Sequence, residues 1–254
     1  MKNLKKKMKN KTPNNTNKLS LIDHFEELRK RLLYSVLILI ITSSIAFVFN
    51  KQIITVLLNG LESEIVLRNG DIVFVEIMEM FSTSMKVSLL FGFIVAFPFI
   101  LHQFFLFIIP GLNTREKKSI FIFLPIVILA FGVGVCFGYF VLIPPAIGFL
   151  LNWGSEIADP MIRIGNIINF ELRLVFWVGL VFETPLIMMF LGYLNLLNAK
   201  QFARFRRVWI VTAFILGAFI TPTFDPINQS FVAIPLIILY ELGILGVKLI
   251  QKKD

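Results

Sequence analysis

Charge is missing from long stretches of this chain, and no other feature constrains its fold as tightly. Leu32–Phe49 carries no charged side chain. Comparable runs, each holding at most one charge, recur at about Val87–Ile109, Ser119–Ile143, Leu174–Leu194, Val208–Thr221 and Ser230–Val247. A helix rises about 1.5 Å per residue, so a run of some 20 residues crosses the roughly 30 Å hydrocarbon core of a bilayer. Backbone groups inside that core find no water, which makes the helix the natural form for such runs. With 57% hydrophobic residues and a mean hydropathy of +0.81, a soluble globule is excluded. The expected fold is an all-α membrane protein with six transmembrane helices.

The connecting segments set the orientation. Six passes put both termini on one side, and the segments on that side hold 20 of the 25 Lys and Arg residues. The other side holds Lys51, Arg68, Lys86, Arg163 and Arg173. The positive-inside rule therefore predicts cytoplasmic termini. The net charge of +9 reads as topology, with no nucleic-acid partner implied.

A single cysteine, Cys136, excludes a disulfide framework and any Cys-based metal site. There is no Walker loop and no H-E-x-x-H motif. His24 and His102 read as isolated polar residues on opposite sides of a span. No catalytic residue, metal site or cofactor is expected, and an enzyme is disfavoured.

Along the chain, the Lys- and Asn-rich residues 1–19 are expected to form a disordered basic tail, and residues 249–254 a short basic C-terminal tail. A single domain fills residues 20–248. A secretory signal peptide does not fit, because acids crowd the n-region and the apolar run is too long. Ser20 with Asp23 suggests a helix start. Leu21, Phe25, Leu28 and Leu32 then make one stripe, opposite Asp23, Glu26, Glu27, Lys30 and Arg31. Such a helix would either lie along the membrane surface before entering the first span or be an ordinary juxtamembrane segment. Asn50–Lys86 reads as a long polar segment, with Ile72–Ile77 undecided between helix and strand. Pro98 should kink the second span. Gly132, Gly134 and Gly138 suit close helix approach. Pro144-Pro145 should end the third span, followed by a loop to Asn169. The fifth and sixth helices are expected to be short. The 14 residues of Val208–Thr221 reach only about 21 Å, which would thin the bilayer locally or make the helix hide against its neighbours.

Three acids stand out. Glu116 sits among Arg115, Lys117 and Lys118, either as a salt-bridged loop residue or as a carboxylate that grips a guanidinium through two bonds. Glu27 is on the same side of the membrane and could join it. Glu183 lies mid-span, where an unpaired acid costs at least about 2.5–3.5 kcal/mol, so it should be neutral, paired or facing a polar cavity.

Six segments resemble the TatC family of the twin-arginine translocase. They are LIDHFEELRKRL (21–32), FPFILHQFFLFIIPGLNTREKK (97–118), FGYFVLIPPAIGFL (137–150), VFETP (181–185), TPTFDPINQ (221–229) and AIPLIILYELGI (233–244). The resemblance implies a glove-shaped six-helix bundle that receives folded precursors bearing an Arg-Arg signal peptide. It implies proton-motive-force-driven export together with TatA-type and TatB-type single-span partners, and a homo-oligomeric receptor complex in the lipid bilayer. The host would be a bacterial inner membrane or a chloroplast thylakoid. By the same resemblance, Glu27 and Glu116 match the arginine-recognising carboxylates, and Phe107, Pro110 and Leu112 match their flanking positions. Glu183, Thr221, Gln229 and Asp225 match intramembrane or partner-docking polar positions. Asn113 stands where many members carry an aromatic residue, and Phe224 falls within the TP-to-D spacing. The runner-up reading is a small-solute or ion transporter with Glu183 as its intramembrane site.

Overall fold

The computed structural model describes residues 14–60, 71–109, 114–153, 161–221 and 225–251. Helix α1 (Asn14–Val48) is unbroken over 35 residues. The expected start at Ser20 falls inside it, and among the described residues no separate surface helix precedes the span. The reason is local: no Gly or Pro occurs between Asn14 and Val48, so nothing interrupts propagation once the helix has formed. At about 52 Å it outruns the roughly 30 Å hydrocarbon core, and its polar first turns stand clear of it. The stretch apolar enough to cross is His24–Val48.

The segment read as a polar loop is structured. It holds α2 (Asn50–Asn59), which buries Ile54 and Leu57, and a short strand β1 (Asp71–Val73). Helix α3 (Glu79–Ile108) begins well before the expected Val87 and runs through Pro98. Its first turns bury Thr83, Ser84 and Ser88, small polar side chains that helices absorb by bonding to their own backbone. Ser88 Oγ donates to the Ser84 carbonyl at 2.7 Å.

Pro144-Pro145 do not end the third pass. Helix α4 (Thr114–Phe137), a π-helical turn (Gly138–Leu142) and α5 (Ile143–Asn152) form one stretch, of which Phe123–Asn152 is apolar enough to span. The prolines sit in the first turn of α5, where a missing N–H removes little. Strand β2 (Met161–Arg163) follows and pairs parallel with β1, Asp71 opposite Met161 and Val73 opposite Arg163.

The fourth pass starts at Ile164, not Leu174. It comprises α6 (Ile164–Val181) and α7 (Thr184–Tyr193), broken at Phe182-Glu183. After α8 (Ala199–Arg204) comes α9 (Arg206–Ile220), at 15 residues the short helix that was expected. Helix α10 (Pro226–Gln251) has 26 residues, so the sixth helix is not short. Five helical stretches among the described residues are long and apolar enough to cross a membrane.

Helices α1 and α3 are antiparallel. His24 stacks on Phe107 at one end, Thr42 Oγ1 donates to the Gly92 carbonyl at 2.8 Å midway, and Phe47 meets Phe81 at the other. Gly134 lets α4 approach α6 closely, since a Cβ there would lie 2.8 Å from Phe182 Cβ. Gly138 also faces α6, whereas Gly132 faces open space. The core runs through Val87, Ile143, Ile168, Leu174, Ile220 and Leu236. Leu37, Ile40, Leu129 and Phe219 point outward, as lipid-facing side chains do. Phe105 meets Phe190, and Gln251 bonds to Leu197 and Asn198, so the start of α1 and the end of α10 share one end of the bundle. That basic end carries Lys30, Arg31, Arg204 and Lys248, and the two strands mark the opposite end.

Candidate functional site

Glu27 lies on α1 at the basic end, one turn from Arg31. Arg31 Nη2 donates to Glu27 Oε1 at 3.2 Å, and its Nη1 donates to Gln103 Oε1 on α3 at 3.1 Å. The Glu27 side chain is about one-third exposed. One turn back, His24 lies flat on Phe107, ring centroids 4.3 Å apart. His24 therefore stands at the same end as α3's last turns, where His102 also lies, not across a span from it. The outcome is a half-open carboxylate between an aromatic pair and a guanidinium. By contrast, Glu26 pairs with Lys30 at 3.0 Å with both side chains more than 60% exposed.

Glu116 is in the first turn of α4, which follows α3 after a short connection at this same basic end. The contacts of its side chain fall outside the described residues, as do Pro110 and Leu112 altogether.

Glu183 is buried at the break between α6 and α7, and neither carboxylate oxygen has a hydrogen-bond partner among the described residues. Thr221 is buried and donates to the Gly217 carbonyl at 2.8 Å. Asp225 caps α10, accepting from the Asn228 N–H at 2.7 Å. The backbone of Gln229 packs on Gly217, where a Cβ would meet its carbonyl at 2.9 Å. These three gather where α9 meets α10 at the strand end. Glu183 is not with them: it precedes Pro185, which packs on Gly243 much further along α10.

Two residues escaped the sequence reading. Glu171 is fully buried on α6 with both oxygens unpartnered among the described residues, lining a pocket of about 220 Å³ with Tyr139 and Cys136. The signal is present, because Ile164, Ile168, Glu171, Val175 and Val178 form one helical stripe, but Glu171 falls between the expected loop, which ends at Asn169, and the expected span, which begins at about Leu174. Glu79, at the strand end, accepts from the Val75 N–H (2.9 Å), the Glu76 N–H (3.3 Å), the Gly165 N–H (3.0 Å) and Arg163 Nη2 (3.1 Å). The β1–β2 pairing brings Arg163 there, and it reaches Glu76 as well, at 3.0 Å.

Such a bundle, with a carboxylate-bearing basic end and acids buried inside it, is that of a multi-pass α-helical membrane protein. The sequence profile described as "Sec-independent protein translocase protein (TatC)" matches residues 23–235. A TatC protein of Carboxydothermus hydrogenoformans is 36% identical over 236 residues, covering 93% of this chain and 96% of that protein. A tatC-like protein, ycf43, of Gracilaria tenuistipitata var. liui is 35% identical, covering 96% of this chain and all of its own length. A crystal structure of the twin-arginine translocase receptor TatC superposes with a TM-score of 0.82 at 36% identity, over 90% of this chain and 99% of that one. The chain belongs to the TatC family.

Proposed function

We propose that this chain is the receptor subunit of a twin-arginine protein translocase, with both termini in the cytoplasm. It binds the Arg-Arg signal peptides of folded precursors through Glu27 and Glu116, flanked by Phe107, Pro110 and Leu112. The observation that carries this reading is the Glu27 carboxylate itself. It already holds a guanidinium, that of Arg31, in a half-open position beside His24 and Phe107. An incoming signal peptide supplies two more guanidinium groups, and charge-assisted bonds of about 1.5–3 kcal/mol each suit a reversible site. The fork geometry of arginine explains a preference over lysine. Glu183, with Thr221, Gln229 and the Asp225-capped start of α10, then serves TatA-type and TatB-type partners in export driven by the proton-motive force. The family match gives no support to the small-solute transporter reading.

The test is site-specific crosslinking of an Arg-Arg signal peptide to membranes holding the unaltered protein or Glu116→Gln. Crosslinking is expected to be lost in the variant at normal abundance, and undiminished crosslinking overturns the role of Glu116.

A further inference from the structure

Of the five cations on the strand side of the sequence, Arg163 is neutralised by Glu76 and Glu79 at 3.0 and 3.1 Å. Two of the others converge. Lys86 on α3 and Arg173 on α6 line one groove of about 480 Å³ between α1, α3 and α6, whose walls include Leu39, Leu89, Phe93 and Trp177. No carboxylate pairs with either cation among the described residues. Lys86 Nζ donates to Asn169 Oδ1 at 3.0 Å, across from α3 to α6. That bond leaves two ammonium hydrogens, and Asn169 and Arg173 line the same space.

Depth points to the ligand. Lys86 lies seven residues into α3 and Arg173 nine residues into α6, hence about 10 and 14 Å from the strand end. These passes are 30 residues long, about 45 Å, so a centred core of roughly 30 Å leaves an overhang of about 7 Å at each end. The backbones of both residues therefore stand about 3–7 Å inside the hydrocarbon boundary, from where long Lys and Arg side chains reach outward to the level of lipid phosphate and glycerol. Phe93 and Trp177 lie further in, where acyl chains would run. Independent snorkelling would send each side chain to water by its own route. Here Lys86 instead reaches across to Asn169, and the groove borders Arg173.

We propose that this groove binds an anionic phospholipid of the leaflet at the strand end. Lys86, Asn169 and Arg173 hold its phosphate, and an acyl chain lies along Leu89, Phe93 and Trp177. Two positive groups select a net-negative headgroup over a zwitterionic one, whose own cation they repel. The alternative occupant, an acidic partner helix, fits less well, because the apolar walls begin directly below the cations.

The experiment is native mass spectrometry of the full-length protein in mild detergent, titrated with phosphatidylglycerol or with phosphatidylcholine of matched chains. Phosphatidylglycerol should be retained about tenfold better, and the double variant Lys86→Gln/Arg173→Gln should lose about that factor. Lys51→Gln, an exposed cation outside the groove, should change nothing. The charge-keeping pair Lys86→Arg/Arg173→Lys should retain phosphatidylglycerol, which separates loss of binding from loss of fold. Equal retention of the two lipids, or undiminished phosphatidylglycerol retention in the double Gln variant, overturns the proposal. Displacement of the lipid by millimolar glycerol phosphate would mean a free-phosphate site and overturns it too. So would a single-span protein that co-purifies through these two cations while lipid retention stays unchanged.

Discussion

Glu27 and Glu79 each accept a hydrogen bond from an arginine, at 3.2 and 3.1 Å, and there the likeness ends. Glu79 is 6% exposed and takes three backbone N–H groups besides, from Val75, Glu76 and Gly165. Those donors come from two segments far apart in the chain, so the carboxylate ties the β1–α3 corner to the β2–α6 corner. Glu27 is about one-third exposed and has, among the described residues, a single partner one turn along its own helix. Identical chemistry is locked at one end of the bundle and exchangeable at the other. What separates a structural ion pair from a receptor is the number of fixed donors and the access of water.

That contrast is open to attack by mutation. Glu79→Gln replaces an acceptor for four donors by an amide that cannot accept them all. It should give the largest fall in thermal stability of any change considered, read by melting of the purified protein in detergent. A variant that melts with the parent would show the strand end to be ornamental. Glu27→Gln should behave in the opposite way. An exposed i, i+4 pair is worth about 0.3–0.5 kcal/mol, so melting should hardly move. Binding of an Arg-Arg signal peptide should fall at least about tenfold, the equivalent of one charge-assisted bond. Lost stability with intact binding would reverse the roles of the two ends.

Glu183 sharpens the comparison, since it is as buried as Glu79 and has no partner among the described residues. If pairing rather than burial makes an acid structural, Glu183→Gln should leave melting unchanged or slightly raised. Signal-peptide crosslinking should persist while transport falls by about 3- to 30-fold, the range of one interhelical polar contact of about 0.6–2 kcal/mol. Full transport in that variant would reduce Glu183 to a tolerated buried acid. The smallest effect is expected at Arg31. If it competes with the signal for Glu27, Arg31→Gln should raise peptide binding by roughly twofold, matching the pair it removes. Weaker binding in that variant would make Arg31 part of the site instead of an occupant.

Much of the candidate site was legible in advance. Glu27 and Glu116 could be put at the basic end because helix order and Lys/Arg counts alone decide which loops share a side. Glu27 and Arg31 stand at the i, i+4 spacing that favours an ion pair, and the structure shows that pair, whereas the bond from Arg31 to Gln103 on α3 is in no local pattern. Glu79 falls inside Asn50–Lys86, the segment whose sequence shows only a polar connection. Its four donors come from the turn before α3 and from Arg163 and Gly165, and nothing within one window of sequence announces that meeting. Glu171 was hidden differently. It belongs to a buried helical stripe that begins at Ile164, ten residues before the apolar run at Leu174 by which the pass is expected.

Hydrocarbon selects against charge residue by residue, so apolar runs and the asymmetry of basic loops declare the passes without knowledge of any contact. The sequence alone therefore determined an all-α membrane bundle, the shortness of α9, and which end is basic. Tertiary structure decided the rest. The three-residue strands Asp71–Val73 and Met161–Arg163 exist only because each is the other's partner. The π-helical turn carries a helix through Pro144-Pro145 because the helices around it hold both flanks in place. Burial against those neighbours turns Thr83, Ser84 and Ser88 into helix, and sorts the acids into one that is bonded on all sides and two that are not. These outcomes depend on groups brought together from distant parts of the chain, and a local pattern does not contain that information.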